Sequence, residues 1–423
     1  MFFTLDVRRA RKGDCLILHY GSKDDPGLGL IDGGPSKVYK PFLKPRLAEI
    51  KEARGLDTDA ALPVDFLMVS HIDDDHINGV LELTKELLET RAASRPLGLT
   101  IDGVWHNTFD DIIGNSPDEL TAAVTASFGT ASLSGDVDTE GLDPAAAKVL
   151  ASVGQGFRLR DDTRGLNLRI NPQFEGQLVL AKNDGKKTDM GKGLTFTVVG
   201  PMHDEVVALQ KDHDVFLKKQ ENEKKTEGAL ASFTDTSVAN LSSLVILAEV
   251  DGKSILLTGD ARGDKVLEGL ELVGRLEKDE KSTIHVNVLK GPHHGSDRNV
   301  DPIFFRRITA DHYVFSGNGE HGNPERETLQ MLLDERGDAD YRVHLTYPLD
   351  VIDAGRKVDW EKEQGKEKSR QANKPETKVR ADWSPEVNSL AAFLDANPSF
   401  AKKVVIVDEK QPHLIDLHDE ITF

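Results

Sequence analysis

The chain has 423 residues, enough to bury the core of one large domain or of two ordinary ones. Its apolar fraction of 38% and charged fraction of 30% are those of a water-soluble globular protein, and no apolar run approaches the roughly 20 residues that span a bilayer. The formal net charge of −19 argues against sequence-independent phosphate binding over the whole surface. A local cationic site or a bound metal could still accept a nucleic acid.

The single cysteine, Cys15, excludes an intrachain disulfide framework and suits a reducing compartment. The N-terminal segment lacks the long apolar stretch and the small-residue cleavage site of a secretory signal. We therefore expect a cytoplasmic protein without a membrane segment.

The first quarter of the chain is predicted to be rich in β-strands, because short apolar runs bounded by glycine and charge recur at "MFFTLDV", "CLILHY" and "LGLIDGG". A helix is predicted over "KPRLAEIKEARG". A buried strand, "DFLMVS", and a helix, "INGVLELTKELLETRAA", follow it. Between these two elements lies the acidic and histidine-rich segment His71–His76.

From about residue 108 to residue 234 the pattern weakens, and we interpret this segment as an insertion that caps the main fold. It contains a predicted strand pair, "GQLVLAK" and "LTFTVVG". It also contains a charged helix, "EVVALQKDHDVFLKKQENEKK", which is typical of a solvated face and alternatively of a protein-binding surface.

A hairpin is predicted in "SSLVILAEVDGKSILLTGDA", because Asp251-Gly252 suits a type I′ turn. Residues 351–385 are polar and predicted to be irregular, and "KKVVIVDEKQPHLIDL" is predicted to be a terminal hairpin. Residues 1–350 are therefore expected to form the main domain, and residues 351–423 an extension packed on it.

Polar side chains repeatedly follow the predicted strands: Asp32, the segment His71–His76, Asp260, the pair His293/His294, and the loop "GNGEHGN". In open α/β sheets, ligands bind beyond the carboxyl ends of the strands. A mixture of imidazole and carboxylate groups suits zinc or manganese. The sequence thus predicts one shared metal site, although a turn or cap role is the simpler interpretation of Asp32 taken alone.

The stretch "SHIDDDHINGV" resembles the metal-binding signature of the metallo-β-lactamase fold, His-x-His-x-Asp-His, with Asp73 in place of the second histidine. Together with "LIDGG", "NLSSLVI", "LLTGDA" and "LKGPHHGS", it resembles the hydrolase domain of the competence protein ComEC. This resemblance covers roughly residues 1–105 and 235–350. It implies an α/β fold, the four-layered αββα sandwich of that family, here with an inserted cap segment.

The resemblance also implies two divalent metal ions, zinc or manganese, with magnesium as an alternative. His71 and Asp73 would bind the first ion, Asp75 and His76 would bind the second, and Asp260 would bridge them. The expected ligands and catalytic groups are His71, Asp73, Asp75, His76, Asp260, His293 and His294. Of the last two, His294 is expected to contact or protonate the leaving group, with Asp75 also required for catalysis, and His293 is either a ligand or a packing group.

Residues expected in the second shell or at the substrate are Asp32, Asn240, Ser296, His321 and Asn323. Asn240 lies in the part of the chain where the histidine that usually completes the first metal shell is absent. Asn323 replaces the histidine of a Gly-His-Pro motif and could instead be the N-cap of a helix with Pro324 at its first position. His321 is a candidate for the missing imidazole, and Ser296 is either a substrate contact or a helix cap.

The activity implied by the resemblance is metal-dependent hydrolysis of phosphodiester bonds through a metal-activated water, which favours a soluble nuclease acting on DNA or RNA. One alternative is a small-molecule phosphoesterase or cyclic nucleotide phosphodiesterase. Another is a non-catalytic partner subunit that keeps the fold with a weakened metal site. A protein partner could bind the inserted segment, and no oligomeric state is indicated.

Overall fold

The computed structural model describes residues 1–107, 144–206, 243–408 and 410–421. These residues form a mixed α/β fold with two large sheets and a small two-stranded one. The strands are β1 (Phe2–Val7), β2 (Leu16–Gly21), β3 (Pro26–Ile31), β4 (Leu62–Val64), β5 (Phe66–Met68), β6 (Leu99–Ile101), β7 (Gly103–Trp105), β8 (Arg169–Ile170), β9 (Thr188–Gly191), β10 (Leu194–Gly200), β11 (Val245–Val250), β12 (Lys253–Leu257), β13 (Ile284–Lys290), β14 (Ile308–Phe315), β15 (Arg342–Leu345), β16 (Val404–Ile406) and β17 (Leu414–Asp416).

Ten α-helices lie among the described residues. They are α1 (Lys44–Ala53), α2 (Asp74–Ala92), α3 (Pro144–Leu166), α4 (Gly263–Leu272), α5 (Pro302–Arg307), α6 (Arg326–Arg336), α7 (Leu349–Asn373), α8 (Pro385–Asn388), α9 (Leu390–Ala396) and α10 (Pro398–Ala401). A π-helical turn, Tyr39–Leu43, precedes α1, and short 3₁₀ turns lie at Pro172–Phe174, Pro292–Gly295 and Glu320–Gly322.

The first large sheet has seven strands in the order β17-β1-β2-β3-β5-β7-β8. Its strands are antiparallel from β17 to β3 and parallel from β3 to β8. The second has eight strands in the order β16-β15-β14-β13-β12-β11-β10-β9, antiparallel from β9 to β12 and parallel from β12 to β16. The small sheet pairs β4 with β6 in parallel.

Three hydrophobic clusters show how these layers pack. One combines side chains from both large sheets, with Phe196 of β10 edge-on to Phe66 of β5 and to Trp105 of β7 at ring-centroid distances of 5.2 and 5.5 Å. The second joins the other face of the first sheet to α1, α2 and α3, and the third joins the other face of the second sheet to helices that include α4, α5, α6 and α7. Each large sheet is therefore buried on both faces, which explains why its strands read as continuous apolar runs.

The hairpin predicted at Asp251-Gly252 is confirmed, because β11 and β12 pair in antiparallel across these two residues. Asp251 has a φ of 44° and Gly252 has a φ of 80°. A type I′ turn requires positive φ at both central positions, which explains this choice of residues.

The prediction of a terminal hairpin is wrong. β16 pairs with β15 in the second sheet, whereas β17 pairs with β1 in the first. The prediction of irregular structure over residues 351–385 is also wrong over most of its length, because α7 extends from Leu349 to Asn373. Ile352 of this helix is fully buried in the cluster on the second sheet.

The described part of the segment from about residue 108 to residue 234 contributes strands to both large sheets. β8 extends the first sheet, and β9 and β10 extend the second. Of the predicted strand pair, "LTFTVVG" is β10, whereas "GQLVLAK" makes only an isolated bridge between Ala181 and Met202. Most of the predicted charged helix lies in residues 207–242, outside the described residues.

Candidate metal centre

The histidine- and aspartate-rich segment lies between β5 and α2. His71 and Asp73 are buried in the loop, and His76 is buried in the first turn of α2, which begins at Asp74. The rings of His71 and His76 lie edge-on with their centroids 4.9 Å apart. The end of a buried strand and the start of an amphipathic helix thus place two imidazoles and one carboxylate away from solvent.

Asp32 anchors this segment from the end of β3. Its Oδ1 accepts a hydrogen bond from the Ser70 backbone N–H at 2.7 Å, and its Oδ2 accepts one from the Ser70 hydroxyl at 2.6 Å. The same Oδ2 lies 2.9 Å from Nδ1 of His76. A carboxylate on Nδ1 fixes the orientation of the ring, so that Nε2 of His76 points away from Asp32.

Asp260 and the histidine pair come from the neighbouring ends of β12 and β13. Oδ1 of Asp260 lies 3.1 Å from Nε2 of His76 and 3.2 Å from Nε2 of His294. Its Oδ2 lies 3.7 Å from Nε2 of His293. Because β12 and β13 are parallel, their carboxyl ends meet at one edge, and these distant parts of the chain converge there.

The two adjacent histidines differ in burial. Both have left-handed backbone conformations, with φ of 45° at His293 and 56° at His294, a strained geometry that non-glycine residues adopt mostly at functional sites. The side chain of His294 is only 2% exposed, whereas that of His293 is 30% exposed. The structure therefore places His294, rather than His293, among the most deeply buried groups of the cluster.

Asp14 belongs to this cluster, although no role was predicted for it. One ligand atom each from Asp14, His76, Asp260 and His294 lie within 4.8 Å of one another, and all four residues are buried. Asp14 lies two residues before β2, a strand of six buried residues. A charged residue next to the apolar run "CLIL" is the signal in the sequence that could have identified it, since such a charge is buried only with partners.

The charges within the cluster compensate one another. Burial disfavours the imidazolium form of His76, but the carboxylates of Asp260 and Asp32 outweigh this effect and hold its pKa well above the usual value. Burial is likewise outweighed at His294, where Asp260 and Asp14 raise the pKa to about 9. Burial opposes ionisation of Asp260, yet His294, His76 and His293 hold its pKa well below the usual range. Positive charge within the cluster therefore stabilises its buried carboxylates.

Nδ1 of His71 is buried and has no hydrogen-bond partner within the described residues. Nε2 of His71, Nε2 of His76, Nε2 of His294 and Oδ1 of Asp260 have only ion-pair contacts at 3.1–3.4 Å there. Leaving a buried polar atom without a hydrogen bond costs on the order of 1–3 kcal/mol. Imidazole nitrogen and carboxylate oxygen are the donor atoms that divalent transition ions prefer. The residues therefore fit a metal ion, and this buried group of histidine and aspartate could hold one.

Asp75 and His321 lie nearer the surface than this cluster. Asp75 is half-buried, and its backbone carbonyl contacts Gly13 so closely that a Cβ on Gly13 would lie 1.8 Å from the oxygen. Burial lowers the pKa of both His293 and His321, and the negative charge of Asp75 opposes this shift in each case. His321 is exposed, with Nε2 3.4 Å from Nζ of Lys12, so it does not join the buried cluster.

The cap interpretations of Ser296 and Asn323 are wrong. Ser296 is buried, and the following helix, α5, is capped instead by Asp301, whose side chain accepts from the Phe304 N–H. The helix after Asn323, α6, begins only at Arg326. The amide of Asn323 donates to the His293 carbonyl at 3.2 Å and so supports the histidine turn. Asn240 lies outside the described residues.

No family model matches the chain, and no curated protein matches it. One similar solved structure is that of a protein named "Putative metal-dependent hydrolase" from Parabacteroides distasonis ATCC 8503, with 8% identity, a TM-score of 0.30, and coverage of 82% of this chain and 98% of the other. A second is a protein of unknown function from Enterococcus faecalis V583, with 12% identity, a TM-score of 0.29, and coverage of 82% and 71%. Likenesses at these scores are too slight to assign a fold or a function.

Among the described helices, even α7 and α3 lack the length of apolar sequence that a membrane crossing would need.

Proposed function

We propose that the chain has the metallo-β-lactamase type of fold, a four-layered αββα sandwich. The three hydrophobic clusters support this proposal, because one lies between the two large sheets and the other two lie between a sheet and its helices. The proposed layering also explains why Asp32, His76, Asp260 and His294 reach one edge, since all four follow strands of the two facing sheets.

We further propose that the protein is a metal-dependent hydrolase of phosphodiester bonds. The observation that carries the proposal is the convergence of Nε2 of His76 and Nε2 of His294 on one buried carboxylate oxygen of Asp260. The ComEC-like motifs favour DNA or RNA as the substrate class. His71 and Asp73, whose Nε2 and Oδ2 are 3.4 Å apart, would complete the ligand set on the other side of His76.

In the proposed hydrolase, His76, Asp260 and His294 would hold one divalent metal ion, and His71 and Asp73 would hold a second metal ion. A divalent ion bound there would supply Lewis acidity and acidify water to a nucleophile near neutral pH. Asp32 keeps the His76 ring fixed, and so removes the need for reorganisation during the reaction. His293, the more exposed histidine, would donate a hydrogen bond to the leaving oxygen. Half-buried Asp75 would accept a hydrogen bond from the attacking water and orient it.

Hydrolysis of bis(p-nitrophenyl) phosphate tests the proposed reaction. EDTA-treated protein should gain turnover when Mn²⁺, Zn²⁺ or Mg²⁺ is restored, and Asp75→Ala should lose at least about 100-fold in kcat, the usual effect of removing an acid–base or orienting group. Asp74→Ala is the matched control, because the adjacent Asp74 carboxylate is occupied by Asn78 and Gln155.

The substrate class is then determined by measuring hydrolysis of single- and double-stranded DNA, RNA, cyclic dinucleotides and nitrocefin. Cleavage of a polynucleotide supports a nuclease, and cleavage of cyclic dinucleotides alone supports a small-molecule phosphodiesterase. Metal-loaded protein that hydrolyses only nitrocefin, or none of these substrates, would contradict the proposal. So would equal activity of the Asp75→Ala and Asp74→Ala variants.

The adjacent histidines provide a second test. His294 is buried against Asp260, so His294→Ala should lose most of the bound ion. His293 is partly exposed, so His293→Ala should keep the ion and lose about 10²–10⁴-fold in turnover, as expected when an acid–base group is removed. Metal content by mass spectrometry and kcat by spectrophotometry are measured on both variants. The opposite pattern would assign His293 to the metal and His294 to the substrate, as the sequence motif had indicated.

A further inference from the structure

A buried ion pair lies beside the candidate metal centre. Asp14, before β2, and Lys290, the last residue of β13, are each almost fully excluded from solvent, and Nζ of Lys290 lies 2.6 Å from Oδ2 of Asp14. Lys290 also donates to the Gly291 carbonyl at 3.0 Å. Burial of two charges carries a desolvation penalty that apolar residues of the same volume would avoid. A pair at this position therefore calls for a reason other than packing.

The second oxygen of Asp14 faces His294. Oδ1 accepts a hydrogen bond from the Ser316 hydroxyl and lies 3.4 Å from Nδ1 of His294. The Ser316 hydroxyl is itself 3.2 Å from the same Nδ1. The opposite ring nitrogen, Nε2, lies 3.2 Å from Oδ1 of Asp260. The His294 ring is thus held between an anchoring carboxylate on one side and the ligand cluster on the other.

Direct ligation by Asp14 is the competing interpretation, since its carboxylate lies within 4.8 Å of the ligand atoms of His76, Asp260 and His294. However, Oδ2 already accepts from Lys290 and Oδ1 already accepts from Ser316. A carboxylate oxygen that accepts one hydrogen bond can also bind an ion, so these donors do not by themselves exclude ligation. They do hold the carboxylate on the Nδ1 side of the His294 ring, and action through the ring uses these contacts as they are.

We propose that Asp14, held in place by Lys290 and Ser316, is a positioning residue that keeps the proton of His294 on Nδ1 and presents its Nε2 to a divalent ion. Asp14 thereby does for His294 what Asp32 does for His76. This inference rests on the proposed function only in requiring that the centre binds an ion. Carboxylates in this outer position typically contribute 10–100-fold to metal affinity.

Zinc affinity and the ring proton of His294 test this role in the full-length protein. In the zinc-loaded wild type, with histidine labelled by ¹⁵N and the signal assigned by its absence in His294→Gln, the Nδ1 proton should be shifted downfield and protected from exchange. In Asp14→Asn the proton should lose this protection, and zinc affinity should fall by about 10–100-fold. Asp65→Asn is the matched control, because Asp65 is also paired with a lysine, Lys192, but precedes β5 at the end opposite to the centre, and should keep both properties.

The outcomes separate the two proposals. Wild-type protein that takes up none of Zn²⁺, Mn²⁺ and Mg²⁺ contradicts the proposed function and with it this role of Asp14. Wild-type protein that binds zinc while Asp14→Asn keeps the affinity and the protected proton contradicts only the role of Asp14. A loss of zinc affinity well beyond 100-fold, with an unchanged ring proton in the fraction that is loaded at high zinc, would make Asp14 a direct ligand and also overturn the proposal. If Asp14→Asn does not fold, Ser316→Ala decides, with the same changes expected at smaller size and no change counting against the role.

Discussion

An Asp260→Asn variant should lose tight binding of divalent ions while it retains the fold. Oδ1 of Asp260 lies 3.1 Å from Nε2 of His76 and 3.2 Å from Nε2 of His294. The amide keeps the volume of the side chain but removes its negative charge. A metal ion held by the two imidazoles would then lose the carboxylate that compensates its positive charge. We expect the affinity for Mn²⁺ or Zn²⁺ to fall by more than the roughly 10–100-fold that outer-sphere partners contribute.

Titration calorimetry and thermal unfolding measure this loss independently. Ion at 100 times its dissociation constant should stabilise the wild type by about 2.7 kcal/mol, and should not shift the unfolding midpoint of the variant. Asp264→Asn is the control, because Asp264 is an exposed aspartate of α4 that pairs with Arg262. An Asp260→Asn protein that still binds the ion and is still stabilised by it would remove Asp260 from the centre.

The sequence could predict that these side chains converge because a general rule applies to them. Asp32, Asp260 and His294 follow strands that lie parallel to a neighbour, and the carboxyl ends of such strands meet at one edge. The rule does not apply to Asp14. It precedes β2, which is antiparallel to β1, so the amino end of β2 reaches the same region as the carboxyl ends of other strands. Lys290 lies in the motif "LKGPHHGS", but Asp14, its charged partner among the described residues, is almost 280 residues away in the chain, so no local pattern could reveal the pair.

The wrong prediction of a terminal hairpin also arose because the true partners are distant in the sequence. The last apolar runs are separated by a short polar segment, which is the local pattern of a hairpin. Their actual partners are β15 for β16 and β1 for β17, and the pairing of Thr4 with Asp416 joins the two ends of the chain. The edges of the two sheets offer these strands free hydrogen-bonding groups, and an isolated hairpin would have been marginal. The existence of β16 and β17 could thus be predicted from sequence, whereas their pairing could not.

Removing one partner of the buried Asp6–Arg46 pair should have the largest effect on stability. Nε of Arg46 in α1 lies 2.7 Å from Oδ2 of Asp6 in β1, and both side chains are almost fully buried. Arg46→Met leaves the Asp6 carboxylate with the weaker contacts to Arg8 at 3.4 Å and to His19 at 3.6 Å. We expect a loss of about 3–5 kcal/mol in the free energy of unfolding at neutral pH, because an uncompensated buried charge remains.

The double variant Asp6→Asn/Arg46→Met identifies that charge as the cause. Replacing both partners removes the desolvation penalty as well as the attraction, so the double variant should recover much of the loss, as judged by urea midpoints. Burial opposes ionisation of Asp6, but His19 and Arg46 lower its pKa from 3.8 to about 2. In the wild type this stabilisation is present above about pH 4 and is lost as pH falls towards 2. The difference in the free energy of unfolding between the wild type and Arg46→Met should therefore become smaller below pH 4. A loss of stability caused by lost packing alone would not change with pH and would persist in the double variant.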